Sequence, residues 1–140
     1  MHARPLGNGR RLALLGAIVL VVGCLLPWYT VGGDGGLPAD VYRAFSYPQG
    51  LITFLAGLGT LALIALPYAA GARPLAVDRG IAFGVLAGAA LLGVVLWVPA
   101  VLDAPEGLLP DRAYGFWIAA VGAIIMARAA FDISREPPRR

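Results

Sequence analysis

Charged residues in this 140-residue sequence fall into a few short stretches, which are separated by four long apolar segments. A helix needs roughly 20 apolar residues to cross the ~30 Å hydrocarbon core of a lipid bilayer. Segments 12–31, 50–72 and 80–102 have no charged residue. The fourth, 113–131, has only Arg128, whose long side chain can reach the headgroups. The sequence therefore predicts four transmembrane helices over these segments.

The composition indicates that lipid is the solvent for most of the chain. With 59% hydrophobic residues and a mean hydropathy of +0.78, the chain is too apolar for a soluble domain of its length. We expect an all-α fold: a single membrane domain over residues 1–140, built as an antiparallel four-helix bundle. The predicted outer loops are 32–49 and 103–112, and the predicted inner loop is 73–79.

Arginines are unevenly distributed between the two sides of this predicted bundle. Only Arg43 and Arg112 fall in the outer loops, and the other nine of the eleven flank the helices on the opposite side. Positive charge is retained on the cytoplasmic side of membrane proteins, so both termini are predicted to be cytoplasmic. The nine inner arginines are Arg4, Arg10, Arg11, Arg73, Arg79, Arg128, Arg135, Arg139 and Arg140.

This topology accounts for the net charge of +3, so we expect no nucleic-acid partner. A basic inner rim attracts anionic lipid by roughly 1 kcal/mol per arginine near the surface, which makes membrane lipids expected partners. The sequence has no lysine and is rich in arginine, alanine and glycine, as is typical of a GC-rich bacterial genome. The predicted location is therefore the bacterial cytoplasmic membrane.

Tryptophans give an independent indication of the same orientation. Trp28, Trp97 and Trp117 all fall at the predicted outer ends of helices. Tryptophan is enriched at membrane–water interfaces, where its ring lies at the level of the headgroups. We therefore predict these three residues to be interfacial anchors.

The N-terminal segment has a second interpretation. Val21-Val22-Gly23-Cys24 matches a permissive lipoprotein cleavage pattern, in which Cys24 would become the acylated first residue. The apolar run, however, continues past Cys24 to Trp28, where a lipoprotein would normally become polar. This continuation favours an ordinary transmembrane helix with a lipid-facing cysteine over the lipoprotein.

The first outer loop is long and begins with the glycine-rich stretch 32–36. Beyond Pro38, the i, i+4 spacing of Leu37, Val41 and Phe45 fits one face of a short helix lying on the outer leaflet. A loop whose apolar side chains cap the bundle is equally compatible with this spacing.

Small residues form stripes on the third and fourth predicted helices. In membranes, small residues let helix backbones approach closely, and this close packing drives helix association. We predict that helices 3 and 4 pack tightly within one chain through these stripes. The alternative is that the glycine face forms a homo-oligomer or binds a membrane-protein partner. The residues of the two stripes are Gly80, Gly84 and Gly88, and Gly115, Ala119, Ala123 and Ala127.

The sequence lacks the residues that common membrane chemistry requires. The cores of the spans have no acidic residue for coupled transport, His2 is the one histidine, and Cys24 is the one cysteine. We therefore predict no cofactor, no metal site and no enzymatic activity. The remaining polar groups cluster in the outer loops, either as solvated loop charge or as a recognition surface: Asp34, Asp40, Arg43, Asp103, Glu106, Asp111 and Arg112.

Leu26-Pro27-Trp28 lies at the predicted end of helix 1, before the glycine-rich loop. This layout resembles that of small bacterial four-helix integral membrane proteins of uncharacterised function, a resemblance that implies no particular activity. Because the sequence has helix-packing motifs but no catalytic motif, it favours a non-enzymatic accessory or assembly subunit of a larger membrane complex. The alternative is a lipid or small-molecule binding or carrier protein that uses the outer loops and the apolar bundle.

Overall fold

The computed structural model describes residues 7–69 and 78–137. Most of the predicted inner loop lies outside these residues, as do Arg4, Arg73, Arg139 and Arg140. Within the described residues the chain is mostly helical, and four helices are long and apolar enough to cross a membrane. The prediction of four candidate spans is thus confirmed. The helices are α1 (Asn8–Leu25), α2 (Pro48–Ala69), α3 (Arg79–Ala100) and α4 (Tyr114–Ser134).

The helices run antiparallel to their neighbours. Gly9 at the start of α1 lies beside Ile133 near the end of α4, whereas Gly23 near the end of α1 lies beside Ala119. Gly80 at the start of α3 likewise lies near Ser134. We call the end that holds Gly9, Gly80 and Ser134 the termini end, and the opposite end the hairpin end.

Among the four described helices, α1 and α4 share the most extensive contact. A Cβ atom on Gly23 would lie 2.5 Å from the backbone N of Ala119, and one on Gly122 would lie 2.5 Å from the backbone N of Leu20. Atoms at such distances overlap, so only glycine permits this approach. Direct contact between backbones is the packing mode that small residues favour in membranes.

The first outer loop differs from its prediction. Helix α1 ends at Leu25 instead of residue 31, and Leu26 is already extended, with φ −93° and ψ 164°. The residue before a proline is disfavoured in helical conformation, and Pro27 itself has no N–H to donate. The segment that follows, Pro27–Gly32, is rich in aromatic and β-branched residues and forms strand β1.

Strand β1 pairs with β2 (Ala39–Arg43) in an antiparallel hairpin, with Val31 opposite Asp40 and Gly32 opposite Ala39. Gly32 at the end of β1 and three glycines of the connecting turn have φ between 65° and 83°, a region that residues with a Cβ rarely adopt. The short interfacial helix suggested for this segment is therefore wrong. A single 3₁₀ turn at Ala44–Ser46 leads from the hairpin into α2.

Candidate functional site at the hairpin end

The β-hairpin is fixed to the second outer loop by two hydrogen bonds from β1. The Tyr29 hydroxyl donates to the backbone O of Ala104 over 3.0 Å, and the Thr30 hydroxyl donates to the backbone O of Arg112 over 2.7 Å. Gly107, in the 3₁₀ turn Pro105–Leu108, lies directly against the Tyr29 ring, where a Cβ would overlap the aromatic carbons. The two outer loops therefore form one ordered cap above the helices.

Arg112 adds a third attachment. Its guanidinium donates to Asp34 Oδ1 over 2.9 Å and to the backbone O of Gly32 over 3.5 Å. The Arg112 side chain is 28% exposed and the Asp34 side chain is 82% exposed. An ion pair so open to water contributes ~0–1 kcal/mol to stability. Its main effect is to fix the turn of the hairpin relative to the start of α4.

The other predicted recognition residues are distributed around this cap. Asp40 and Arg43 lie on β2, and Asp103, Glu106 and Asp111 lie on the second outer loop. Of the seven predicted residues, Arg112 and Asp34 are the two that form an ion pair with each other. Within the described residues, no group of three or more histidine, cysteine or acidic side chains could hold a metal ion.

Burial raises the pKa of Tyr29 above its usual value of 10.0, and the nearby negative charge of Glu106 raises this pKa further. Tyr29 is 8% exposed, which accounts for the larger of these two effects. A buried phenol that donates to a carbonyl is favoured in its neutral form, because ionisation would remove the donated hydrogen.

The raised pKa of Tyr29 leads to a prediction about stability at alkaline pH. Above pH 10 the unfolded chain releases the Tyr29 proton while the folded chain retains it, so the free energy of unfolding should fall as pH rises. In Tyr29→Phe this component of the pH dependence should be absent. The measurement is the free energy of unfolding against pH for the two proteins, with tyrosinate absorbance followed in parallel. Tyr68→Phe is the control, since Tyr68 is 60% exposed. An unchanged pH slope in Tyr29→Phe would contradict the assignment.

An aromatic cluster lies beneath the cap. The ring of Trp28 packs edge-on against Trp97 at 5.4 Å and against Phe116 at 5.5 Å between centroids. Trp28 also donates its indole N–H to the backbone O of Gly23 over 3.1 Å. Tyr47 packs edge-on against Trp97 at 4.8 Å. Edge-to-face packing of this kind stabilises beyond the area that it buries.

This cluster changes the interpretation of two predicted interfacial anchors. Trp28 and Trp97 have no exposed surface, so their rings contact protein and not lipid headgroups. Trp28 lies on β1 and packs against Trp97 and Phe116 on the helices, and Tyr47, directly before α2, covers Trp97. Trp117, by contrast, is 46% exposed and donates its indole N–H to the backbone O of Leu108 over 2.8 Å. Of the three tryptophans, Trp117 is therefore the one whose ring is exposed enough to contact a membrane interface.

Two buried polar atoms have no hydrogen-bond partner in the part of the chain that the structure describes: Trp97 Nε1 and Gln49 Oε1. Both belong to the hairpin end of the α2–α3 interface. A Cβ on Gly93, one turn before Trp97, would lie 2.5 Å from the backbone O of Gln49. The Thr53 hydroxyl donates across the same interface to the backbone O of Ala90 over 3.4 Å. A buried donor and a buried acceptor therefore lack partners at this interface.

The predicted glycine stripes do not meet each other along their length. A Cβ on Gly84 or Gly88 would find no atom within 4 Å, and only Gly80 lies near α4, with its would-be Cβ 3.7 Å from the Cα of Ser134. Gly115 and Ala119, predicted to pack on helix 3, contact α1 instead. The tight α3–α4 packing expected from the sequence is therefore not present at Gly84 and Gly88.

What the glycines of α3 form instead is a groove of about 370 Å³ beside α4 in the termini half of the bundle. Of the small residues predicted to form a stripe on the fourth helix, Ala127 lines this groove, whereas Ala119 and Ala123 are fully buried. The glycines of the α1–α4 contact, Gly16 and Gly23 on α1 and Gly122 on α4, were not predicted from the sequence. Their seven-residue spacings, Gly16 to Gly23 and Gly115 to Gly122, were the available signal.

Cys24 is buried in the last turn of α1 and is a free thiol. This position differs from the predicted lipid-facing cysteine, because the side chain has no exposed surface.

Taken together, the helices, the hairpin cap and the groove define a small helical protein that is compatible with several passes through a membrane. Comparison of the sequence and the structure with known protein families, curated proteins and solved structures finds no match.

Proposed function

We propose that this protein is a non-enzymatic integral membrane protein that acts as an accessory or assembly subunit of a larger membrane complex. The observation that carries the proposal is the ordered β-hairpin, which presents apolar side chains beyond the ends of the candidate membrane spans. Leu37 in the turn of the hairpin and Val41 on β2 are 70% and 50% exposed, and Phe45 in the following 3₁₀ turn is 44% exposed. Exposed apolar side chains within one short segment are typical of surfaces that bind protein.

The attachments of the hairpin support this role. Tyr29, Thr30 and Arg112 hold β1 against the second outer loop, so the surface is already ordered before any partner binds. Ordering a flexible loop upon binding costs free energy, and a preorganised surface avoids much of that cost.

The edge of the hairpin supports the same role. Within the described residues the sheet has two strands, so β2 pairs with β1 on one side only. A strand edge with open backbone groups can pair with an extended segment of another chain. The partner we propose is therefore a membrane protein with an extended segment on the hairpin side.

We also propose that the hairpin end faces the outside of a bacterial cytoplasmic membrane and that both termini are cytoplasmic. The distribution of charge supports this orientation. The described arginines of the termini end are Arg10, Arg11, Arg79, Arg128 and Arg135, whereas those of the hairpin end are Arg43 and Arg112. Five of the acidic residues, Asp34, Asp40, Asp103, Glu106 and Asp111, belong to the hairpin end.

One experiment tests the partner and the orientation. Ala39→Cys places an exposed thiol on β2, and a membrane-impermeant photo-cross-linking maleimide is added to spheroplasts. The native Cys24 is buried and should react slowly. We expect Ala39→Cys to be labelled and, after illumination, to form a discrete cross-linked product. Arg135→Cys, at the termini end, should remain unlabelled until the membrane is opened.

The dependence on the apolar side chains distinguishes a partner from random collisions. Combining Ala39→Cys with Leu37→Ser and Val41→Ser should reduce the cross-linked product about tenfold, the equivalent of ~1.4 kcal/mol of binding. Leu109→Ser is the matched control, since Leu109 is 50% exposed on the other outer loop. A cross-linked product that is unaffected by the hairpin substitutions would contradict the proposed partner. Labelling of Arg135→Cys but not of Ala39→Cys would indicate the opposite orientation in the membrane.

A second candidate function, a lipid or small-molecule binding or carrier protein, is favoured by one specific observation. Trp97 Nε1 and Gln49 Oε1 offer a donor and an acceptor without a partner in the described structure, and a buried polar group usually has one. A ligand held there should accompany the purified monomer in native mass spectrometry and be lost in Trp97→Phe. Recovery of the bare chain from the unaltered protein would exclude this candidate.

A further inference from the structure

The α3–α4 groove is an open feature that the proposed subunit role does not use. From α3 it is lined by Gly80, Gly84 and Gly88, and from α4 by Ala127, Ala130 and Phe131. Because a Cβ on Gly84 or Gly88 would find no atom within 4 Å, these glycines leave empty space rather than helix contact. The walls are mostly apolar, so they favour an occupant that is apolar where it lies along them.

The length of the groove fits one leaflet of a bilayer. From Gly80 to Gly88 the helix rises by about 12 Å, at 1.5 Å per residue. One leaflet contributes about 15 Å to the ~30 Å hydrocarbon core. On α3, the residues that line the groove extend no farther toward the hairpin end than Leu91. The empty space therefore covers the depth that one acyl chain occupies in the leaflet at the termini end.

The charge at the mouth of the groove identifies the headgroup. Phe131 forms part of the wall, and two guanidinium groups lie against its ring, that of Arg135 at 4.1 Å and that of Arg128 at 5.8 Å from the centroid. Arg79, the first residue of α3, directly precedes Gly80. Arg128 and Arg135 therefore lie against a residue of the groove wall, and Arg79 belongs to the same end of the bundle.

Three acidic residues, Asp78, Asp132 and Glu136, belong to the same end and match the three arginines in number. Glu136 Oε1 lies beside the start of α1, 3.3 Å from the position of a Cβ on Gly7. Asp132 pairs with Arg128 over 3.4 Å. The Asp78 carboxylate accepts a hydrogen bond from the backbone N–H of Ile81 and caps α3. In the described part of the chain neither Arg79 nor Arg135 forms an ion pair, so both have donors for a phosphate. Arginine is well suited to bind phosphate because its planar guanidinium can donate two parallel hydrogen bonds.

We propose that the α3–α4 groove binds one acidic phospholipid, with an acyl chain along the glycines of α3 and the phosphate at Arg79 and Arg135. The site depends on the chain spanning a membrane but not on the subunit role, because it lies at the opposite end of the bundle from the hairpin. Lipid in this position fills the space that α3 and α4 leave between them and keeps the two helices in register.

The test uses the full chain, purified in mild detergent and mixed with phosphatidylglycerol or with phosphatidylcholine of the same acyl chains. Native mass spectrometry then measures the lipid that stays bound to the monomer. We expect one phosphatidylglycerol per chain, retained at least about fivefold better than phosphatidylcholine. Arg135→Gln should reduce this preference about fivefold, which corresponds to ~1 kcal/mol for one arginine near the headgroups.

Gly84→Leu fills the groove and should abolish retention of both lipids. Two controls separate the site from nonspecific effects. Val85→Leu alters the neighbouring position, which is 64% exposed, and Arg43→Gln removes an arginine at the hairpin end; neither should change retention. Equal retention of the two lipids by the unaltered protein would overturn the proposal. So would equal behaviour of Gly84→Leu and Val85→Leu, or a homodimer that Gly84→Leu dissociates, since a second chain would then occupy the groove.

Discussion

Gly122→Leu should lose about 3 kcal/mol or more of its free energy of unfolding, and the folded bundle should be hard to recover from membranes. The physical reason is the contact between α1 and α4. A Cβ on Gly122 would lie 2.5 Å from the backbone N of Leu20 and 2.9 Å from the backbone O of Gly16. Those atoms belong to a helix backbone and cannot rotate away as the end of a side chain can. Insertion of a leucine must therefore separate the two helices.

Gly84→Leu is the matched control for this change. It makes the same substitution in a neighbouring helix, but at Gly84 no atom lies within 4 Å of the new Cβ. Its free energy of unfolding should stay within about 1 kcal/mol of that of the unaltered protein, since leucine also has a better helix propensity than glycine. Both values are measured by unfolding in mixed micelles of a mild detergent and sodium dodecyl sulfate. A larger loss at Gly84 than at Gly122 would contradict the direct backbone contact between α1 and α4.

The candidate spans were predictable because their signal is local. A segment such as 80–102 has no charged residue over more than 20 positions, and that length alone meets the requirement of a bilayer core. The end of α1 was less predictable, because hydropathy continues unchanged through Leu26 and Pro27 to Val31. Hydropathy registers the apolar character of these residues but not the change from helix to strand that Pro27 makes.

Helix pairing was harder to predict because it depends on which faces meet. Gly80, Gly84 and Gly88 form a clear stripe in the sequence, yet Gly84 and Gly88 face open space. The seven-residue spacing of Gly16 and Gly23 is a weaker pattern, yet these glycines lie in the interface between α1 and α4. Small residues permit close approach on any face of a helix. The remaining contacts of the bundle decide which of these faces is used.

The candidate site was predicted only in its location. The sequence assigned the unexplained polar residues to the outer loops, and the structure places Arg112 and Asp34 in contact there. The sequence did not indicate the hydrogen bonds of Tyr29 and Thr30, which join residues that are 75 and 82 positions apart in the chain. Contacts between such distant residues leave no periodic pattern in a single sequence.

The tryptophans provide the second large effect that we expect, because the three occupy different environments. Trp28→Ala should lower the free energy of unfolding by about 3–5 kcal/mol, the range for truncation of a large buried aromatic side chain. The substitution removes the edge-on contacts with Trp97 and Phe116 and leaves a cavity between the hairpin and the helix ends. It also removes the indole N–H that donates to the backbone O of Gly23, at the point where α1 ends.

Trp117→Ala makes the same change at a ring that is 46% exposed, and it should cost about 1 kcal/mol, mainly through loss of the hydrogen bond to Leu108. The measurement is unfolding of both variants in mixed micelles, together with tryptophan emission. Loss of Trp117, the exposed ring, should shift the emission of the remaining tryptophans to shorter wavelength, whereas loss of Trp28 should shift it to longer wavelength. Equal losses of stability at the two positions would mean that Trp28 lies at the membrane interface, as its sequence position alone suggests. A much larger loss at Trp28 would instead establish the hairpin as part of the folded core, since that ring lies on β1 and is buried against Trp97 and Phe116 of the helices.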